Sequence, residues 1–383
     1  MNMREKQKPK DTLTDQKITW ISLILYGIIT WFGSWRVFKV LKTFFPGLSA
    51  AIYTGVCILL CSLLPIGFLL SDHRLDRLGN YWLCLQLTTF FTALPEWVIK
   101  VILADWLKIM DWNHLVYVSL ALFLITWIIT VLGIIHGKQI RLVTYDCSVE
   151  KKTFLGKSLR IAHLSDLHLG SINNAKEIRK VVNQVNELKP DLVCITGDTF
   201  TESIHSVPNQ NQIIDALRSL NARYGVYACL GNHDAGNEFP KMVTFFESAG
   251  ITLLKDECIS MEGFTLLGRR DIMQGNMLTP NRKTIEACLA DIDSEDLLIA
   301  MDHQPCDIED SAKAGVDILL SGHTHGGQFF PIHLIVRRFF PHYHGCKKYG
   351  SMYSIVSSGT CSAIPPVRIG SQSEIIQIMV HGS

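Results

Sequence analysis

Nine residues of this chain are of types that hold a metal ion or move a proton, and each stands just beyond a short apolar run. "RIAHL" (160–164) leads to Asp166 and His168, and "DLVCIT" (191–196) leads to Asp198. "GVYACL" (225–230) leads to Asn232, His233 and Asp234. "LLIAM" (297–301) leads to His303, and "VDILLS" (316–321) to His323 and His325. Ligand sites in α/β sheets gather beyond the carboxyl ends of the strands. Taken singly these motifs are weak: Asp-x-His is usually a solvated loop or a cap, Gly-Asp a turn, Asn-His-Asp a satisfied polar corner. Five strand exits in a row, each with an oxygen or imidazole donor, favour a metal site.

The elements that must position these residues alternate. Between the apolar runs lie amphipathic segments with helical spacing, "NAKEIRKVVNQVNELK" (174–189), stopped by Pro190, and "NQIIDALRSL" (211–220). "IRLVTYDCSV" (140–149) reads as a further strand, and residues 250–270 as a strand pair turning at Glu262–Gly263. The expectation over 145–383 is an α/β domain with central sheets and helices outside. Residues 146–383 hold 27 Asp and Glu against 22 Lys and Arg, which argues against nucleic acid as a partner. Eleven cysteines without a C-x-x-C pair suit reduced thiols facing a cytosol better than a disulfide framework.

Residues 1–144 read as a transmembrane helical module of about four spans, near 18–35, 47–70, 81–104 and 115–137. The run is too long, and too often repeated, for a cleaved signal peptide. The third span holds Pro95, Glu96 and Lys100; Glu96 and Lys100, at i, i+4, read as an interfacial ion pair flanked by Trp97 and Trp106. An ion or substrate path is the alternative. Arg4, Lys6, Lys8, Lys10, Lys17, Arg74, Arg77, Lys138, Arg141, Lys151, Lys152 and Lys157 fall on one side of four spans, and Arg36, Lys39, Lys42 and Lys108 on the other. That bias of 12 to 4 places the C-terminal domain in the cytoplasm of a multi-pass protein.

The order and spacing of the five blocks resemble the calcineurin-like metallophosphoesterases over roughly residues 145–370. "SDLHLG", "LLLSGHTHGGQ" and the late "SSGT…PPVRIGS" (357–371) are similar to its bacterial membrane-associated branch. The resemblance implies an αββα sandwich and two divalent metal ions, with Asp166, His168, Asp198 and His325 on one and Asp198, Asn232, His303 and His323 on the other. Asp198 then bridges the two. Mixed oxygen and imidazole donors suit Mn, Fe or Zn, and no thiolate stands among them as in a structural zinc site. The resemblance also makes His233, beside the second metal and held by Asp234, the proton donor to the leaving alkoxide.

The function implied is a membrane-anchored, metal-dependent phosphoric ester hydrolase. It would cleave a phosphoester or pyrophosphate bond of a lipid-linked or amphipathic substrate by metal-bridged hydroxide attack. A phosphodiesterase for a soluble substrate such as a cyclic nucleotide is the alternative. A non-catalytic docking module would have lost ligands, and none of the seven is replaced. "LIVRRFFPHYHG" (334–345) reads either as a loop packed over the core or as a patch on a membrane surface. Arg269 and Arg270 read as solvent-facing, with a second phosphate as the alternative. Natural substrate, bond type, metal identity and oligomeric state have no sequence signal.

Overall fold

Four long helices open the chain: α1 (Thr12–Phe44), α2 (Ala50–Leu70), α3 (His73–Lys100) and α4 (Trp112–His136). The computed structural model describes residues 12–107, 112–201, 203–234, 238–272, 282–293 and 295–383. The basic residues Arg4, Lys6, Lys8, Lys10 and Lys108 lie outside the described residues, as does the side chain of Lys17. Among the described residues three helices are long and apolar enough to cross a membrane: Ile21–Phe44, Ala50–Leu70 and Leu115–His136. The expected span at 81–104 lies mostly on α3, whose buried side includes Asn80, Gln86, Thr88, Thr89 and Glu96. Its apolar character is diluted by groups that must hydrogen-bond inside.

The chain divides into two compact units. The first runs to Ile66 and includes Leu78–Thr130; the second comprises Gly67–Arg77 and Val131–Ser383. Inside the first unit the expected Glu96–Lys100 pairing is replaced by a longer-range one. Glu96 pairs with Arg36 of α1 at 2.6 Å, and Ser119 of α4 donates to the same carboxylate. Both charged side chains are buried. A guanidinium forks across two oxygens, which a solvated i, i+4 lysine cannot do.

The second unit holds two six-stranded sheets. One has the order β1 (Ile140–Val149), β12 (Ser373–Gly382), β2 (Ser158–Leu164), β3 (Leu192–Thr196), β4 (Val226–Cys229), β5 (Thr252–Leu253). The other has the order β10 (Gly345–Tyr349), β11 (Met352–Val356), β9 (Ile318–Ser321), β8 (Leu297–Met301), β7 (Phe264–Gly268), β6 (Glu257–Met261). β2 to β5 run parallel, as do β7, β8, β9 and β11; β6 and β7 form the antiparallel hairpin turning at Glu262–Gly263. Both faces of the central strands are buried, so they read as continuous apolar runs.

Alternation along each strand divides the core. Leu159, Ile161, Leu192 and Cys194 join Leu297, Ile299, Met301, Ile318 and Leu320 between the sheets. Ala162, Leu164, Val193 and Ile195 turn outward against α5 (Ala175–Glu187), α6 (Gln210–Arg218) and α7 (Phe239–Ser248). On the far side Ala300 and Leu319 meet Ile285 of α8 (Ile285–Leu289) and Ile308 of α9 (Ile308–Lys313). This is the αββα sandwich. Each fully buried Val, Leu or Ile contributes about 1.5–3 kcal/mol, so the strands are the least movable parts of the unit. The Asn174 side chain caps α5 by accepting from Lys176 N at 3.0 Å.

Candidate metal centre

β2, β3, β4, β8 and β9 end at one edge of the sandwich, and the nine residues lie just past those ends. They form two clusters. In one, donor atoms of Asp166, His168 and His325 lie within 4.8 Å of one another, all three buried. In the other, those of Asp198, His303 and His323 do the same. His168 Nε2 stands 3.1 Å from His325 Nε2, and Asp166 Oδ1 stands 3.3 Å from His325 Nε2. Asn232 Oδ1 reaches His303 Nε2 at 3.2 Å. Asp198 Oδ2 lies 3.2 Å from His303 Nε2 and 3.9 Å from His168 Nε2, so one carboxylate oxygen serves both clusters.

The backbone that delivers these groups is unusual. Asp166, His168, Asp198, His323 and His325 have φ of +55°, +43°, +50°, +72° and +50°. Each left-handed non-glycine residue costs about 1–3 kcal/mol, and such residues persist where the surroundings over-determine them. Two glycines let the loops close: a Cβ on Gly231 would strike the backbone and carboxylate of Asp198, and one on Gly322 would strike Ser165 and Asp166.

Burial sets the protonation. It strips the proton from His168, whose pKa falls to about 3, and from His323, down to about 4; it holds His325 far below the usual imidazole range. For Asp198, burial raises the pKa but the neighbouring His303 outweighs it, leaving the carboxyl well below its usual range. His168, His323 and His325 are thus bare imidazoles, whereas at His303 burial is outweighed by the carboxylates of Asp198 and Asp166, which hold it well above the usual imidazole range.

His233 is exposed, with its ring edge-on to His168 at 5.4 Å between centroids. That is the first cluster's side, whereas the sequence reading placed it beside the second. Its backbone N–H donates to Asp198 Oδ1 at 2.9 Å. Asp234 is fully buried and accepts from the amides of Gly231, Thr199 and Phe200 at 3.0, 3.1 and 3.0 Å. It ties the turn after β4 to the turn after β3, and so positions Asp198 as much as His233.

Two bracing systems have no counterpart in the sequence reading. Arg368 is buried, donating to the carbonyls of His325, Ser358 and Cys361 at 2.9, 2.6 and 2.7 Å and approaching His325 Nδ1 at 3.3 Å. Its signal was the "PPVRIGS" block. On the other flank Arg269 and Arg282 clamp Asp302, the residue before His303, at 3.0 and 2.5 Å, and both reach Asp307. Arg269 is therefore neither solvent-facing nor a phosphate ligand; a strand-end arginine beside a buried aspartate has no local signature. Arg270 is half-buried and pairs with Asp256 at 3.6 Å.

A model of the calcineurin-like phosphoesterases matches residues 159–327. An uncharacterized metallophosphoesterase of Aquifex aeolicus is 30% identical over 260 residues, covering 66% of this chain and 98% of that protein. The chain belongs to this family. An uncharacterized metallophosphoesterase of Helicobacter pylori is 32% identical over 58% of the chain. A transmembrane protein with metallophosphoesterase domain from Danio rerio is 30% identical over 67%. The chain spans 59% and 61% of those two proteins' own lengths. The metallophosphoesterase unit is that of a metal-dependent phosphoester hydrolase, and the chain is membrane-associated.

The family uses two divalent ions, and the residues here fit them. The neutral rings of His168 and His325 bring their Nε2 atoms to 3.1 Å of each other beside Asp166, an arrangement of facing donors that a cation would offset. His168 Nδ1 is buried without a hydrogen-bond partner, and the carboxylates of Asp166 and Asp198 are buried at 0% and 2% exposure.

Proposed function

We propose that the chain is a membrane-anchored phosphoesterase acting on a phosphoester or pyrophosphate bond of a lipid-linked or amphipathic substrate. The observation that carries the chemistry is Asp198, whose Oδ2 stands within 4 Å of a histidine of each cluster. In this reading Asp166, His168, Asp198 and His325 hold one ion, and Asp198, Asn232, His303 and His323 the other. The pair would bind the phosphate oxygens and lower the pKa of an attacking water.

The chain's own residues supply the rest. The bridging carboxylate sets the spacing and offsets charge. His233, exposed beside His168, donates a proton to the departing oxygen, which leaves poorly as an alkoxide near neutral pH. Asp234 fixes the turn that carries both Asn232 and His233 through its three backbone bonds. The lysine and arginine bias supports a cytoplasmic catalytic unit where α3 crosses the membrane as a fourth span; three spans alone reverse the parity of that count. The membrane helices and the acidic metallophosphoesterase unit support an amphipathic substrate over a nucleic acid.

The test is hydrolysis by the full chain in detergent, comparing an aryl monoester, an aryl diester and a lipid pyrophosphate with Mn, Zn and Mg. Turnover abolished by a chelator and restored by metal is the expected result; indifference to the chelator refutes the reading. His233→Ala should lower turnover about 10²–10⁴-fold with metal content unchanged. Loss of metal in that variant removes its role as proton donor.

A further inference from the structure

The segment after the His-x-His loop forms a helix, α10 (Ile332–Phe339), none of whose residues is buried. Phe330, Leu334, Ile335 and Phe339 are 61%, 56%, 54% and 73% exposed. The reading of this segment as a loop packed over the core therefore fails. Scattered exposed apolar residues are ordinary, but four bulky ones within ten residues form a patch that marks an interaction surface. Leu334, Ile335 and Phe339 fall within one arc of roughly 140° at 100° per residue, and Arg338, one turn after Leu334, falls inside the same arc. Arg337 and Arg338 occupy the last turn, Arg337 lying 5.7 Å from the Tyr343 ring. Exposed apolar and aromatic residues with arginines among them, whose long stems carry the charge out to the head groups, are the composition of a helix lying in a membrane surface.

Position within the metallophosphoesterase unit says which surface. Phe330 N donates to Ile369 O at 3.1 Å, and Phe329 bridges to Ile369 and Gly370. The neighbouring Arg368 N donates to Gly133 O at 3.1 Å. A Cβ on Gly133 would come within 2.9 Å of the Ile369 and Val367 side chains. Gly133 lies near the end of Leu115–His136, one of the three membrane-crossing helices, in the part of α4 that belongs to this unit. The exposed patch thus begins beside the loop that grips the end of a membrane span. Ile364 in the same loop is also exposed. At its other end the patch meets the metal centre, where the Phe340 ring packs edge-on to His323 at 5.4 Å.

We propose that α10 is an interfacial helix seated in the bilayer surface. Phe330, Leu334, Ile335 and Phe339 enter the acyl region, and Arg337 and Arg338 take anionic phospholipid head groups. The His323 side of the metal centre then opens at the membrane surface, where a lipid phosphoester reaches it without leaving the bilayer. The substrate half of this inference rests on the phosphoesterase reading above; the insertion half does not.

The test uses the full chain in nanodiscs of neutral and anionic phospholipid, with ordinary or brominated acyl chains. Leu334→Trp is compared with the unaltered chain, the difference reporting the added indole. Blue-shifted emission, quenched about twofold or more by brominated lipid, is the expected result. Water-like, unquenched emission overturns the insertion, as does a buried indole accompanied by cross-linking to a second copy of the chain. In the same discs, Leu334→Glu with Ile335→Glu should lower turnover of a lipid phosphoester about tenfold or more and leave a soluble aryl diester unaffected. Quenching with equal effects on both substrates keeps the insertion and overturns presentation of a lipid substrate.

Discussion

The two halves of the metal centre are built alike but braced differently. Asp166, His168 and His325 are all buried, and the cation behind them, Arg368, makes its hydrogen bonds to backbone carbonyls, serine hydroxyls and a histidine ring. Burial lowers its pKa to about 10, so it stays charged at neutral pH. In the other half, His323 and Asn232 are only partly buried, and the bracing is an ion network of Asp302, Asp307, Arg269 and Arg282. The first half is the more deeply buried, with His233 exposed at its edge. The second leaves His323 and Asn232 partly exposed, with His323 next to Phe340 and the exposed helix. Depth of burial and kind of bracing differ between two clusters that share one carboxylate.

The most severe test of that division is Asp198→Asn. The change keeps the volume but removes the shared anion, so both ions should be lost and turnover should fall to near background. Metal analysis alongside a kinetic assay checks it. Retention of one tightly held ion would mean that the halves are more independent than the shared oxygen implies.

The braces can then be compared with one another. Asp302→Asn removes the charge on which two guanidinium groups converge, and breaking a buried ion pair from one side costs about 3–5 kcal/mol. Arg368→Met leaves the carbonyls of Ser358 and Cys361 without that donor, at roughly 3 kcal/mol in total. Supporting contacts change metal affinity by about 10–100-fold, so each variant should weaken the ion on its own flank. Thermal melts of the full chain would give the stabilities. Electron paramagnetic resonance of the manganese-loaded chain would show the exchange-coupled pair give way to a single ion in both variants. Loss of both ions in either one would break the comparison.

How much of this was legible in the sequence follows from the range of the interactions. β2, β3, β8 and β9 were visible because strands buried on both faces carry unbroken apolar runs, and their exits could be read directly. The turn at Glu262–Gly263 was visible because its chemistry is local. β12 was not: nothing in "SEIIQIMVHG" places it between β1 and β2. The Glu96 partner was misplaced because 60 residues separate it from Arg36, while Lys100 stood at helical spacing. Arg269 was misread because its partner Asp302 comes from the neighbouring strand's end. The left-handed backbone at five of the candidate ligands has only a weak residue-type signal, since none is glycine and Asp and His adopt it merely more often than other side chains.

The smallest expected effect falls on the first half's outer support. Glu374, nearly buried, accepts from Ser358 N at 2.8 Å and pairs with His344 at 3.2 Å. Burial pushes its pKa up, but the His344 contact and the Ser358 hydrogen bond outweigh burial and hold the carboxyl below its ordinary value of 4.5. A carboxyl depressed on folding contributes its full stabilisation above the unfolded value and loses it as pH falls through the folded one. The melting temperature of the unaltered chain minus that of Glu374→Gln should therefore shrink as pH falls below about 4.5. Taking the difference cancels the metal loss that protonated Asp166 and Asp198 bring to both proteins. A difference that instead grows below about pH 4.5 would reverse the sign of the linkage. Glu374 would then be a burden on the loop that carries Ser358 and Arg368 rather than part of its support.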